Sequence, residues 1–397
     1  MSPGTLLAEP VASFRIEPLQ RGKDERYNFG ATITGLDLNT ITDEDVEHLK
    51  EAIWTHKVVV VKGQENLDPK KHWELVTRFD PSAPQVHSHG DIKTFQKKGG
   101  MLSKRREVVG IPGAENVRLI GKGYQGPDHY GIKDLTVQGL SHDFHATDLP
   151  EEDFQAGHTR FQRWHIDAPL YDREPAWFTT LRAIKLPVDA PDVQVNWDDG
   201  SGCSLKTRPG RTAFFSNSQL YGLLSKEEQE MADCSWVEYA PYPYMWIENC
   251  KGNANGLGLA TQGKEHTLEE LGEYEDAKVK RYPMVWVNPV TQEKAFMVHG
   301  ICARKLFVRK NATSEPTVID DVVKIREFLS NIQSRILKPQ YVLMAPAEEG
   351  DVTMWDNYGV FHSAVDYPLK YGSRTMHQAN IGASRGPIGP VPIPAMS

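Results

Sequence analysis

Apolar residues in this chain recur with two periods, and the shorter one dominates. Near the N-terminus, residues 30–38 alternate and then turn, which predicts a short strand. Thr42 stands ahead of Val46, Leu49 and Ile53 at i, i+3 and i+7, so a helix is expected from Thr42 to about Lys57. The β-branched run Val58–Val61, closed by Lys-Gly, reads as a buried strand. Asp68-Pro69 opens a second helix carrying Trp73, Val76 and Phe79. Further on the alternating period takes over. Short strands are predicted at 117–120, 135–138, 177–183, 194–197 and Thr212–Ser216, the last followed by a helix with Leu220, Leu223 and Leu224 on its apolar side. Residues 284–287 and 294–298 flank Asn288-Pro289-Val290-Thr291, a hairpin with turn chemistry. The strongest helical stripe begins at Asp320 and Asp321 and runs through Val322, Ile325, Leu329, Ile332 and Ile336, with Pro339 after it. Closing strands are expected at 341–345, 352–355 and 374–381.

Many short strands, with helices mainly at the start and in one late insertion, predict a mainly-β fold with helices (α+β): a double-sheet jelly roll with N-terminal helices and insertions. No repeat and no linker interrupts it. A single domain over 26–385 is expected between an irregular arm at 1–25 and a Pro/Gly-rich, disordered tail at 386–397. Residues 81–162 show no clean period. Within them, 141–162 is polar with scattered Phe and runs straight into His165, so a lid over a site is expected there.

Composition narrows the function. With 39% hydrophobic and 25% charged residues, the 397-residue chain fits a globular protein with a substantial core. A net charge of −8 argues against nucleic acid as a partner. No apolar run approaches a membrane span and no signal peptide opens the chain, so the cytosol is the expected compartment. Cys203, Cys234, Cys250 and Cys302 form no close pair and read as reduced thiols. Oligomeric state is left open, a homo-oligomer included.

The candidate chemistry lies in Arg163-Trp164-His165-Ile166-Asp167 and, far downstream, His362. Residues i and i+2 of an extended segment share a face, so His165 and Asp167 can present imidazole and carboxylate together. A second imidazole from a distant strand would complete two His and one carboxylate, the facial set of non-heme iron oxygenases. The same three ligands would also serve a metal-binding module or a zinc hydrolase. Of the fourteen histidines, eleven are expected to be surface or core residues. His87 with His89, and His142 with His145, have ligand-like spacing but no such context. Gly256-Leu257-Gly258 lacks a third Gly and a following helix signal, so it reads as a turn rather than a phosphate cradle.

Four features resemble the taurine-dioxygenase family of Fe(II)/2-oxoglutarate-dependent dioxygenases. They are R-W-H-I-D, the turn Pro209-Gly210-Arg211-Thr212, the run E-G-D-x-x-x-W-D-N-x-x-x-x-H at 349–362, and Arg374, twelve residues beyond His362. The resemblance extends to 30–38 and 60–64, nearly the whole chain. It implies a double-stranded β-helix core, Fe(II) held by His165, Asp167 and His362, and 2-oxoglutarate as co-substrate with O₂. Arg374 would bind the distal carboxylate of 2-oxoglutarate, with Thr212 also touching it. Within the family the chain is most similar to the fungal xanthine dioxygenases, in R-W-H-I-D-A-x-L-Y, P-E-E-D at 150–153, G-L-G-L at 256–259, and Gln378 and Asn380 after Arg374. That likeness implies xanthine as substrate and uric acid as product, with Gln378, Asn380, Glu152 and Asp153 near the purine. Where those enzymes carry a Lys near the substrate, this chain aligns Gln138, with Lys133 close by. An amino acid or a secondary metabolite is the alternative substrate.

Overall fold

A computed structural model describes residues 12–91, 109–139 and 144–394. Its frame is a nine-stranded sheet and a three-stranded one. In chain order their strands are β1 (Arg15–Pro18), β2 (Ala31–Thr34), β3 (Val58–Val61), β4 (Val109–Ile111), β5 (Ala114–Tyr124), β6 (Thr136–Val137), β7 (Phe178–Lys185), β8 (Thr212–Ser216), β9 (Leu343–Met344), β10 (Val352–Asp356), β11 (Val360–Ala364) and β12 (Arg374–Ala379). The large sheet runs β1-β2-β3-β10-β7-β12-β5-β4, with β6 added on β5; β8 is the centre of the small sheet, between β9 and β11. Only the β2–β3 pair of the large sheet is parallel. A helix, Asp43–His56, makes that crossover. The result is a mixed α/β, sheet-rich chain with few helices.

Local chemistry explains the N-terminal elements. Thr42 accepts a hydrogen bond from the Asp45 amide and caps the first helix, a contact worth about 1 kcal/mol. Asp68 caps Pro69–Phe79 in the same way, and Pro69 occupies the first turn, where no N–H is needed. The first helix buries its whole apolar stripe and the second buries Val76 and Phe79, with Trp73 partly covered, and all four residues of β3 are buried. The late helix is Val322–Gln333, capped by Asp321. It stops short of Ile336, which is buried all the same.

Several expectations need correction. The arm at 1–25 contains β1, paired with β2 along its whole length; residues 1–11 of it lie outside the described residues. The expected lid is built into the body where it is described. Phe144, Phe154 and Phe161 are buried, Glu151–Gln155 is a short helix, and His158–Thr159 pairs with Val193–Asn196. Its scattered Phe are anchors. Residues 141–143, His142 among them, are outside the described residues. Within the expected tail, the Ile388 carbonyl accepts from the Val287 amide; residues 395–397 are not described. Lys226–Cys234 was unforeseen although Ser225 and Glu228 form a capping box, and a four-stranded sheet around Trp236–Tyr239 and Ala303–Val308 also went unread. Among the described residues no helix is long and apolar enough to cross a membrane. All four cysteines are free.

Candidate metal centre

His165, Asp167 and His362 come together in the structure. One ligand atom from each lies within 4.8 Å of the others, the single such cluster among the described residues. His165 does not sit in a regular strand. It makes an isolated antiparallel bridge to His362, the amide of each donating to the carbonyl of the other at 3.1 and 3.0 Å. That bridge brings the two rings together, centroids 4.1 Å apart and planes tilted by 44°. Alternation does the rest: Trp164 and Ile166 enter the core while His165 and Asp167 line a cavity of about 180 Å³. On β11, Phe361 packs on Phe215 and His362 turns to the cavity beside Trp355, ring centroids 4.8 Å apart.

The predicted turn at 256–259 buttresses this segment. Gly256 holds φ +76°, and its carbonyl accepts from the Trp164 amide at 3.0 Å. A Cβ there would lie 2.8 Å from the Phe161 carbonyl oxygen, so both backbone angle and space call for glycine.

Both imidazoles are ready to act as ligands. Burial, with His362 nearby, pushes His165 down to about 3; burial, with His299 nearby, pushes His362 down to about 3. Each ring is therefore neutral at physiological pH. The Nδ1 of His165 lies 3.0 Å from the Arg163 carbonyl, which fixes Nδ1 as the protonated nitrogen and leaves the Nε2 lone pair free for a metal. Nε2 of His165 and of His362 are 3.8 and 3.7 Å from Oδ1 of Asp167. Neutral nitrogen donors with one carboxylate, open on the cavity side, suit Fe(II).

Around Asp167 the hydrogen bonds are closed. Its amide donates to Asn357 Oδ1 at 2.9 Å, and Asn357 Nδ2 donates back to the Asp167 carbonyl at 2.9 Å. Thr179 Oγ1 donates to Oδ2 at 2.8 Å, so Oδ1 is the oxygen turned to the two imidazoles.

Arg374 opens β12 and lines the cavity. Its Nε donates to the Gly210 carbonyl at 2.8 Å, leaving the terminal nitrogens for a ligand. Burial lowers its pKa, opposed by Tyr367 and Asp366. Thr212, Gln378, Arg118, Arg163 and His89 line the same cavity, and Asp167 is the one carboxylate among its described walls. Three guanidiniums facing a single acid suit anionic or acceptor-rich ligands.

Other expected site residues lie elsewhere. Glu152 and Asp153 are exposed on Glu151–Gln155 and do not reach the cavity; they supply the acidic first turn of that helix. Asn380 is buried, and its carboxamide is spent on Thr179 and Ser88. Gln138 is exposed, and Lys133 pairs with Asp128 on the surface. Arg118 was missed. It shares a face of β5 with Ile120, and alternation at 117–120 turns both toward the cavity. His87 and His89 are not in the metal cluster, but His89 reaches the cavity wall, where burial chiefly pushes it down to about 4.

Comparison with known proteins agrees with this geometry. A family model, "Taurine catabolism dioxygenase TauD, TfdA family", matches residues 15–380. The chain is 45% identical over 384 residues to the alpha-ketoglutarate-dependent dioxygenase bsc9 of Alternaria brassicicola, covering 95% of this chain and 96% of that one. It is 39% identical over 380 residues to the alpha-ketoglutarate-dependent xanthine dioxygenase xanA of Emericella nidulans, covering 95% and 99%. Its fold is similar to that of a taurine dioxygenase from Burkholderia xenovorans, with a TM-score of 0.54 at 16% identity, covering 95% and 93%. The chain thus belongs to the TauD/TfdA family and is an Fe(II)-dependent dioxygenase that uses alpha-ketoglutarate, that is, 2-oxoglutarate.

Proposed function

We propose that this enzyme hydroxylates a small molecule held in the cavity above His165, Asp167 and His362, converting 2-oxoglutarate and O₂ to succinate and CO₂. The convergence of that triad with Arg374 on one cavity carries the reading. Bound iron would supply the O₂ activation and C–H oxidation; the chain supplies position and dryness. Two neutral imidazoles and Asp167 would hold the metal on one side. Arg374, steadied by the Gly210 carbonyl, would grip the distal carboxylate of 2-oxoglutarate with its terminal nitrogens, and Thr212 would add a hydroxyl contact. Trp355, Leu181 and Ile301 line the same space and exclude water from the reacting centre. The two sheets with the site between them support a double-stranded β-helix core, and the free thiols support a reducing compartment, the cytosol.

For substrate, xanthine is the first candidate. Gln378 can both donate to and accept from a purine edge, and Arg118 supplies the cation that Gln138 and Lys133 do not. A second reading, a secondary metabolite or amino acid, is supported by the engagement of Asn380 within the protein and by the identity to bsc9, whose name specifies no xanthine, being higher than that to xanA. Succinate release across a panel of purines, amino acids and secondary metabolites decides between them. Xanthine-dependent release supports the first reading; release with another compound and none with xanthine overturns it.

A further inference from the structure

Behind the metal face runs a chain of four buried polar side chains. Ser88 Oγ donates to Asn380 Oδ1 at 2.6 Å, Asn380 Nδ2 donates to Thr179 Oγ1 at 3.1 Å, and Thr179 Oγ1 donates to Asp167 Oδ2 at 2.8 Å. Ser88 and Asn380 are each 1% exposed and Thr179 is fully buried. The direction is set from one end to the other. Asn380 offers an N–H to Thr179 Oγ1, which orients the hydroxyl hydrogen toward Asp167; that hydrogen holds Oδ2 and leaves Oδ1 toward His165 and His362.

The far end is also anchored. The Ser88 amide donates to the Asn380 carbonyl at 3.3 Å, His87 bridges Ile381, and Arg118 donates to the Gly90 carbonyl at 2.7 Å. Residues 87–90 carry His89 to the cavity wall. One carboxamide therefore touches both the segment that forms the wall and the hydroxyl that aims the carboxylate.

We infer that Asn380 is a positioning residue, acting through Thr179 on Asp167, and that it couples the 87–90 wall segment to the metal face rather than binding substrate itself. The inference rests on the reading of His165, Asp167 and His362 as the metal site. Loss of an outer hydrogen-bond partner of a ligand typically costs about 10–100-fold in metal affinity or activity, because the freed carboxylate samples orientations that present the wrong oxygen.

The test is Mn(II) binding, followed by the electron paramagnetic resonance of the free ion, with hydrogen exchange of the 87–90 amides alongside. Thr179→Val keeps the shape and removes the hydroxyl; its Mn(II) Kd is expected to rise about tenfold or more. Thr179→Ser restores the hydroxyl and should return the Kd to within about threefold of the native value, which a merely structural role would not demand. Asn380→Ala should raise the Kd about fivefold and speed exchange at 87–90. An unchanged Kd in Asn380→Ala overturns the inference. Equal Kd values for Thr179→Val and Thr179→Ser overturn it as well, by removing the hydroxyl from the argument. Native protein that binds no Mn(II) sinks the metal site and this inference together.

Discussion

The two ends of the cavity are built differently. At the metal end, His362 comes from the middle of β11, Thr212 and Arg374 from strand starts, His165 from a bridge to His362, and Asp167 from irregular backbone held by Asn357. Each is pinned by a backbone bond or a buried polar partner. At the other end the wall is assembled from 87–90, from Arg118 on β5, from Gly139 and from Gln162, segments distant in the chain and partly irregular. On the proposed function, reaction class would rest on the first end and substrate choice on the second. Chemistry that every family member shares needs one geometry, whereas selectivity can be changed by rebuilding loops on a constant frame.

Substitutions at the two ends should separate cleanly. Asp167→Ala is expected to abolish turnover and to raise the Mn(II) Kd by more than about 100-fold, beyond the range for outer partners. Measurable turnover in that variant would break the comparison at its base. Next, Arg374→Lys keeps the charge but loses the planar fork. A lost charge-assisted hydrogen bond is worth about 1.5–3 kcal/mol, so the KM for 2-oxoglutarate should rise about 10–100-fold while Mn(II) binding stays within about twofold. Steady-state kinetics with 2-oxoglutarate varied would show it.

Gln378→Ala probes the lining beside Arg118, its partner on β5. A neutral hydrogen bond contributes about 0.5–1.5 kcal/mol, so the KM for the accepted substrate should rise up to about tenfold with that for 2-oxoglutarate nearly unchanged. Equal rises in both would merge the two ends.

The smallest effect lies behind β12. His377 faces away from the cavity, its Nε2 2.8 Å from that of His129, while His72 Nε2 meets Thr180 Oγ1 at 2.7 Å. Burial pushes His377 down to about 2 and His72 down to about 3, each helped by nearby positive groups. In the unfolded chain these rings take up protons near pH 6.5. A folded pKa below the unfolded one gives stability that is present above pH 6.5 and is lost progressively as pH falls toward 3. Urea denaturation at pH 7 and pH 5 should show lower stability at pH 5, and His377→Phe should narrow the gap. Mn(II) affinity at pH 7 should not follow that substitution.

The asymmetry of the cavity also explains what could be read from the chain. The triad was legible because H-x-D and a distant His sit in motifs that resemble a known family, and their neighbours Trp164, Trp355 and Phe361 are buried. Helices at Asp43–His56 and Pro69–Phe79 announced themselves by caps and stripes. The wall was less legible. Regular alternation would put Gln378 and Asn380 on one face with Arg374, toward the pocket; Asn380, just past the end of β12, instead meets Thr179 and Ser88. Glu152 and Asp153 resembled substrate ligands by position, yet a three-residue acidic first turn is equally what a short helix needs at its N-terminus. Arg118 carried a strand signal but no motif. Partners such as Ser88 and Asn380, 292 positions apart, leave no local pattern at all.

The most direct test of the account is anaerobic. Protein loaded with Fe(II) is titrated with 2-oxoglutarate and the visible spectrum is followed for a charge-transfer band of the iron–2-oxoglutarate pair. The account predicts a band that saturates near one equivalent, is lost in Asp167→Ala, and needs far more 2-oxoglutarate in Arg374→Lys. Absence of the band in native protein that holds Fe(II), or an unaltered titration in Arg374→Lys, would contradict it.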